Sequence, residues 1–220
     1  MKLYGDFLSG NCYKIKLLAA VLEIELDWIH IDILAGETRT PEFLKRTPIA
    51  KIPVLECDDG RYLSESNAIL NFLATDTEFL SKDVFEYAKI QQWQFFEQYS
   101  HEPYIAVARY IAKYLGLPKA REAEYFSKQE GGHKALQVME QQLQQTPYLV
   151  GNRPTTADIC LFGYTHVAEE GGFELGKYQA IIEWIDRIQS LPNYIGMELF
   201  MRSHQGSLER AEWVSAVSRV

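Results

Sequence analysis

Ser9 and Cys12 stand three residues apart in Leu8-Ser9-Gly10-Asn11-Cys12, at the expected mouth of a helix. A hydroxyl there can donate to an anion, and a thiol there can act as a nucleophile once ionised. Taken alone, Ser9 reads as a helix N-cap, because a serine oxygen accepts from the free N–H groups of the first turn. Gly10 lets the backbone approach a ligand closely. Two distant stretches carry complementary chemistry. In Lys51-Ile52-Pro53-Val54 a proline opens a strand. A cis bond before Pro53 would turn Ile52 outward, so that its N–H and C=O pair with a peptide ligand as an added strand. Ser64-Glu65-Ser66-Asn67 is a second helix start. It reads either as another N-cap or as a carboxylate site, in which Glu65 pairs with an ammonium while Ser66 and the helix-start N–H groups accept an anion. A group bearing both charges is an α-amino acid end.

The elements that position these residues fall into two halves. Through about residue 74, short strand-like runs alternate with helical ones. Lys2-Leu3-Tyr4 is followed by a helical spacing over Cys12 to Leu22 and by alternation over Leu26 to Ile33. A short helix over Pro41 to Arg46 comes next. Pro53 to Cys57 and Arg61 to Leu63 then flank Asp58-Asp59-Gly60, a hairpin signal. Glu65 to Ala74 is helical. The order β-α-β-α-β-β-α predicts an α/β thioredoxin-like domain over residues 1–75.

A linker over 76–83 leads to an all-helical bundle over 84–220. Val84 to Leu115 is one long helical pattern interrupted by Pro103, which bends or breaks it. Arg121 to Gln145 follows. Ala157 to Ala168 is apolar nearly all round and is expected to be a buried central helix. Gln179 to Ser190 ends at Pro192. Thr155-Thr156-Ala157-Asp158 forms a capping box worth about 1 kcal/mol.

Composition narrows the function classes. At 220 residues and 47% hydrophobic, the chain buries a sizeable core. A net charge of −8 with scattered basic residues repels phosphate backbones, so no nucleic-acid partner is expected. No apolar run reaches membrane-span length and no secretory pattern opens the chain. Cys12, Cys57 and Cys160 lack metal or CxxC spacing and point to a reducing, cytoplasmic setting. No zinc-ligand spacing, Walker loop or dinucleotide fingerprint occurs, so neither metal nor nucleotide is expected.

Taken together and in this order, the three stretches resemble the cytosolic glutathione transferase family, in which a cis-proline is followed by a Glu/Gln-Ser pair. Thr155-Thr156-Ala157-Asp158 also looks like that family's helical-domain capping box. The resemblance implies a cis bond at Ile52-Pro53 and a glutathione site made by Ser9, Lys51, Ile52, Pro53, Glu65 and Ser66. Glu65-Ser66 then takes the γ-glutamyl end and Lys51 the glycyl carboxylate. Tyr4 lies too early, inside the first strand, to be the thiol donor. Ser9-Gly10-Asn11-Cys12 is similar to the Ser-x-x-Cys segment of theta-, delta- and zeta-like enzymes, where the first serine donates to the glutathione sulfur. Ser9 followed by Asn11 also resembles the Thr-x-Asn pair of bacterial members that reduce disulfides.

Ser9 and Asn11 are therefore the expected catalytic pair, and Cys12 is left as a packing residue with redox work as its alternative. The second substrate, a small hydrophobic electrophile, is expected against Phe7, Leu8, His101, Tyr104 and Arg109, with Arg109 reaching Glu102 or an anionic substrate. Lys14 and Lys16 are expected on the helix surface, while His133 and His166 receive no role. Glutathione transfer leads, glutathione-dependent disulfide or peroxide reduction on the same site follows, and a non-catalytic binding protein is the third reading. The family implies a homodimer, which the aromatic-rich helix Val84 to Tyr99 could serve. Ser207 to Val220 could form a short amphipathic helix around Leu208, Ala211 and Val214 that closes over the groove.

Overall fold

Four short strands and three helices make the first half, as described in a computed structural model covering residues 1–197. They run β1 (Lys2–Gly5), α1 (Gly10–Val21), β2 (Asp27–His30), α2 (Pro41–Leu44), β3 (Val54–Glu56), β4 (Tyr62–Ser64) and α3 (Ser66–Leu73). The sheet order is β2-β1-β3-β4, with β1 parallel to β2 and antiparallel to β3. Leu3 pairs with Trp28 on one side and Leu55 on the other, which centres an apolar strand in the sheet. Leu3, Leu55, Ile15, Leu18, Ile69 and Leu70 are wholly buried between this sheet and α1 and α3. The hairpin turns where Asp58-Asp59-Gly60 predicts it, with Gly60 at φ 82°, a conformation open to glycine. β2 is shorter than the Leu26 to Ile33 alternation suggests.

The helical half begins with α4 (Val84–Phe96), a π-turn (Glu97–His101), α5 (Glu102–Arg109) and a second π-turn (Tyr110–Tyr114). Pro103 falls in the first turn of α5, where its missing N–H removes no helical bond. The break expected from Pro103 is therefore taken up by the π-turn just before it. α6 (Glu122–Leu143), α7 (Thr156–Thr165) and α8 (Gln179–Gln189) complete the bundle. Every residue of α7 is buried, as its uniform apolarity predicts. Its cap does more than close a helix. The Thr155 N–H donates to Asp158 Oδ2 at 2.8 Å, while Asp158 Oδ1 accepts from Leu149 N at 2.8 Å and Trp184 Nε1 at 3.0 Å. One buried carboxylate thus ties α7 to the preceding loop and to α8.

The two halves meet where α1 packs on α7. A Cβ added at Gly10 would fall 2.5 Å from the Gly163 carbonyl oxygen and 2.7 Å from the Tyr164 ring. Gly10 is thus required for helix contact rather than for the approach of a ligand. Lys14, expected at the surface, is wholly buried at this seam, 3.3 Å from Glu97 Oε1. The correction has a simple cause: α1 is covered by the sheet on one side and by the helical half on the other, so it has no solvent face at Lys14. Lys16 is partly buried and donates to the Leu26 carbonyl at 3.3 Å. Among the described residues no helix is long and apolar enough to cross a membrane. The segment 207–220 lies outside the described residues.

Candidate functional site

Ser9 occupies both of the positions offered to it. It is the N-cap of α1, its Oγ accepting from the Cys12 N–H at 3.4 Å, and it lines a cavity of about 480 Å³ between the two halves. Asn11, in the first turn of α1, lines the same cavity, and its Oδ1 accepts from Ser66 Oγ at 3.3 Å. The starts of α1 and α3 are therefore joined side chain to side chain. Lys51 and Ile52 lie on the same wall, before a cis Ile52–Pro53 bond. Pro53 itself is buried and Lys51 is exposed. Glu65 is exposed at the N-cap of α3 with φ 68° and ψ 110°, a backbone conformation that side chains other than glycine adopt at a cost. Ser9, Asn11, Lys51 and Ile52 thus line one groove; Ser66 is joined to it through Asn11, and Glu65, next to Ser66, is not part of the cavity lining.

Cys12 lies under β1 and is wholly buried. Burial pushes its thiol up to about 12, against an opposing hydrogen bond from Ser9. At neutral pH it stays a protonated thiol, which is the poor nucleophile of the couple.

The opposite wall differs from expectation. His101 is wholly buried, its Nε2 2.9 Å from Thr165 Oγ1, and it does not face the groove. The Tyr104 ring lies against Gly131 of α6, with Lys128 Nζ 5.9 Å from its centroid, again away from the groove. Phe7 stacks on Trp28 and His30, with centroids 5.1 and 4.7 Å away. Leu8 contributes a carbonyl that accepts from Arg109 Nη1 at 2.6 Å. Arg109 does line the cavity, but its partner is Glu170 at 2.6 Å, not Glu102. Glu102, Ala106, Val107, Tyr110, Tyr114 and Tyr164 also face the groove from this wall, together with the Arg121–Glu124 ion pair at 2.7 Å. Burial raises the Glu102 carboxyl above the usual carboxylate range and Glu97 adds to this, while Lys14, Lys51 and Asn11 oppose. Tyr164 is pushed up by burial and by Glu102, so it stays a neutral phenol. Glu102 belongs to a stretch whose polarity marks it in the sequence. Tyr164 sits in a helix that reads as buried all round and carries no such signal. Among the described residues, no three His, Cys, Asp or Glu side chains gather as a metal site.

This arrangement can be set beside known proteins. The chain matches the family model of the glutathione S-transferase N-terminal domain over residues 1–75 and that of the C-terminal domain over 93–192. It is similar to the crystal structure of a glutathione S-transferase from Pseudomonas fluorescens Pf-5, with 55% identity and a TM-score of 0.88, covering 89% of this chain and 98% of that one. It is also similar to disulfide-bond oxidoreductase YfcG of Escherichia coli (strain K12), 31% identical over 193 residues, 84% of this chain and 88% of the other. Elongation factor 1-gamma of Drosophila melanogaster is 40% identical over 129 residues, 58% of this chain, and the match spans only 29% of that protein's length. Matches over both halves, together with an α/β sheet domain packed on a helical bundle, lead to one assignment: the chain belongs to the glutathione S-transferase family.

Proposed function

We propose that the chain is a glutathione transferase in which Ser9 stabilises the glutathione thiolate for attack on a small electrophile in the groove. The observation that carries this reading is the position of Ser9, at the start of α1 and in one cavity with Asn11, Lys51 and Ile52. The ligand brings its own nucleophile, so the protein must mainly favour the thiolate. Lowering a thiol pKa from about 8.5 by two units requires roughly 2.7 kcal/mol of preferential stabilisation. A hydroxyl donor to an anion supplies roughly 1.5–3 kcal/mol and the helix dipole about 0.3–1 kcal/mol. Ser9 and α1 are therefore sufficient, with Asn11 joining Ser9's helix to Ser66. Lys51 takes the glycyl carboxylate, Ile52 pairs with the peptide, and Glu65 with Ser66 takes the γ-glutamyl end. The groove's tyrosine rings, Ala106 and Val107 hold the apolar body of the electrophile, and Glu102 lies beside its polar substituents.

Glutathione turnover with an aryl halide tests this. Ser9→Ala lowers kcat/KM by about 100-fold, the rate equivalent of roughly 2.7 kcal/mol, whereas Cys12→Ala retains activity. Full activity in Ser9→Ala with loss in Cys12→Ala overturns the assignment. A second reading rests on Ser9-Gly10-Asn11 and on the similarity to the E. coli disulfide-bond oxidoreductase. There the thiolate attacks a disulfide sulfur, a mixed disulfide forms, and the leaving thiolate takes up a proton. Turnover of a disulfide well above that of the aryl halide selects it. Glutathione binding without turnover of either acceptor selects a binding role.

The assembly in this reading is a homodimer. Phe85, Phe95 and Tyr99 along α4 and the turn after it are 74%, 68% and 88% exposed, an apolar strip that a second copy would cover. Phe95→Glu shifts the dimer to monomer in light scattering, and an unchanged mass removes this face as the contact. Three free thiols fit a reducing, cytoplasmic setting.

A further inference from the structure

The turn that presents Ser9 is fixed from the other half of the molecule. Within the turn, the Leu8 N–H donates to Asp6 Oδ1 at 2.8 Å and the Ser9 N–H donates to the Asp6 carbonyl at 3.1 Å. Asp6 is buried, so these bonds are shielded from water. From the helical half, Tyr114 O–H donates to the same Asp6 Oδ1 at 3.2 Å, and Arg109 Nη1 donates to the Leu8 carbonyl at 2.6 Å.

Arg109 and Tyr114 are five positions apart, and on an α-helix such residues point about 140° away from one another. The π-turn Tyr110–Tyr114 replaces that geometry with i to i+5 closure, which brings both side chains to the same turn. Arg109 is itself held. Its Nε donates to Glu170 Oε2 at 2.6 Å, the other Glu170 oxygen pairs with Lys113 at 2.9 Å, and the Arg109 side chain is 2% exposed. Its Nη2 faces Met197 Sδ at 3.7 Å. The guanidinium is thus occupied by the protein rather than offered to a substrate. Burial and the Asp6 charge push Tyr114 up, which keeps it a neutral donor.

We propose that Arg109 and Tyr114 are positioning residues: they hold the Asp6–Ser9 turn so that the Ser9 hydroxyl meets the glutathione sulfur. The inference rests on the reading of Ser9 as thiolate donor. Without the two bonds the turn keeps its internal contacts but loses its anchor, and Ser9 samples poses that miss the sulfur.

The test is the thiol pKa of bound reduced glutathione, followed by thiolate absorbance against pH. It compares the wild-type protein, Ser9→Ala, Tyr114→Phe and the double variant. Tyr114→Phe removes one oxygen and raises the bound-thiol pKa by about half a unit to one unit, the equivalent of a lost net hydrogen bond. In the Ser9→Ala background the same change produces no further shift, because the donor it serves is gone. Arg109→Lys keeps the charge but loses the fork, gives the same pattern, and replaces Tyr114→Phe if that variant does not fold. If Ser9→Ala moves the pKa and neither positioning variant does, the inference fails while the Ser9 reading stands. It fails equally if the shifts add in full. If Ser9→Ala leaves the pKa unmoved, the Ser9 reading fails and takes the inference with it.

Discussion

The seam under α1 and the groove mouth beside it use the same kinds of residue for opposite ends. In the seam, Lys14 and Glu97 are both wholly buried, 3.3 Å apart, and Glu97 Oε2 also accepts from Asn67 at 3.1 Å and Gln98 at 2.7 Å. At the mouth, Lys51 is exposed and Glu102 lines open space. The changeover occurs between neighbours: His101 is sealed in the seam and Glu102 faces the groove. A π-turn inserts one residue and rotates the next helical segment by about 100° relative to an unbroken helix. Charge that is fully paired fixes the two halves together. Charge left partly open is available to a ligand. The comparison predicts that seam variants lose stability first and mouth variants lose chemistry first.

The largest expected effect is therefore at Lys14. Lys14→Met leaves the Glu97 carboxylate buried without its cation, at a cost of about 3–5 kcal/mol, read as a lower urea midpoint with an unchanged slope. Ser9→Ala, by contrast, loses only a cap, about 1 kcal/mol. Burial raises the Glu97 carboxyl, but Lys14 and the Gln98 and Asn67 donors outweigh it, so the native value lies below normal. Its contribution is present above the unfolded pKa of about 4.3 and is lost as pH falls through the native value. Equal losses of stability in Lys14→Met and Ser9→Ala would erase the distinction between seam and mouth.

His101 gives the next effect. Burial pushes its imidazole down to about 4, with Glu97 opposing and Lys14 assisting. Between pH 6.5 and about 4 the unfolded chain binds a proton that the native histidine refuses. Stability therefore falls as pH falls through this window, by up to about 1.4 kcal/mol per pH unit. His166, also pushed down by burial to about 4, shares the window. His101→Gln keeps a donor for Thr165 and flattens the slope by about one proton's worth. An unchanged slope means that His101 charges within the folded protein, and the seam is then less sealed than its burial implies.

The two regions also differ in how far the sequence reveals them. Ser9, Asn11 and Ser66 sit at helix starts, where local chemistry fixes backbone direction, so their convergence follows from motifs of a few residues. The strand order and the Asp58-Asp59-Gly60 hairpin are legible for the same reason. Lys14 is not, because its partner lies 83 positions away and the cover over α1 comes from α7. The stretch Gln98 to Tyr104 announces polarity but not direction. Which of His101, Glu102 and Tyr104 faces the groove depends on the π-turn, and no local propensity specifies one. Arg109 is legible as a charge near the site, but its engagement with Glu170 and Leu8 is a matter of tertiary packing.

The smallest effect reverses the sign of the others and tests the mouth alone. Glu65 holds φ 68° and ψ 110° while its carbonyl still accepts the Ile69 N–H at 3.0 Å, so α3 starts from a strained residue. Such a conformation costs about 1–3 kcal/mol in a residue with a Cβ. Glycine relieves it, but gives back roughly 0.5–1 kcal/mol through the added freedom of the unfolded chain. Glu65→Gly is therefore expected to raise the urea midpoint by the equivalent of about 1 kcal/mol. Glutathione affinity falls in the same variant, because the carboxylate assigned to the γ-glutamyl ammonium is gone. Calorimetric titration with glutathione reads the second half of this prediction. A variant that gains stability and keeps its affinity separates the strain from the ligand. One that loses both makes Glu65 a structural residue whose effect on affinity is carried by the fold.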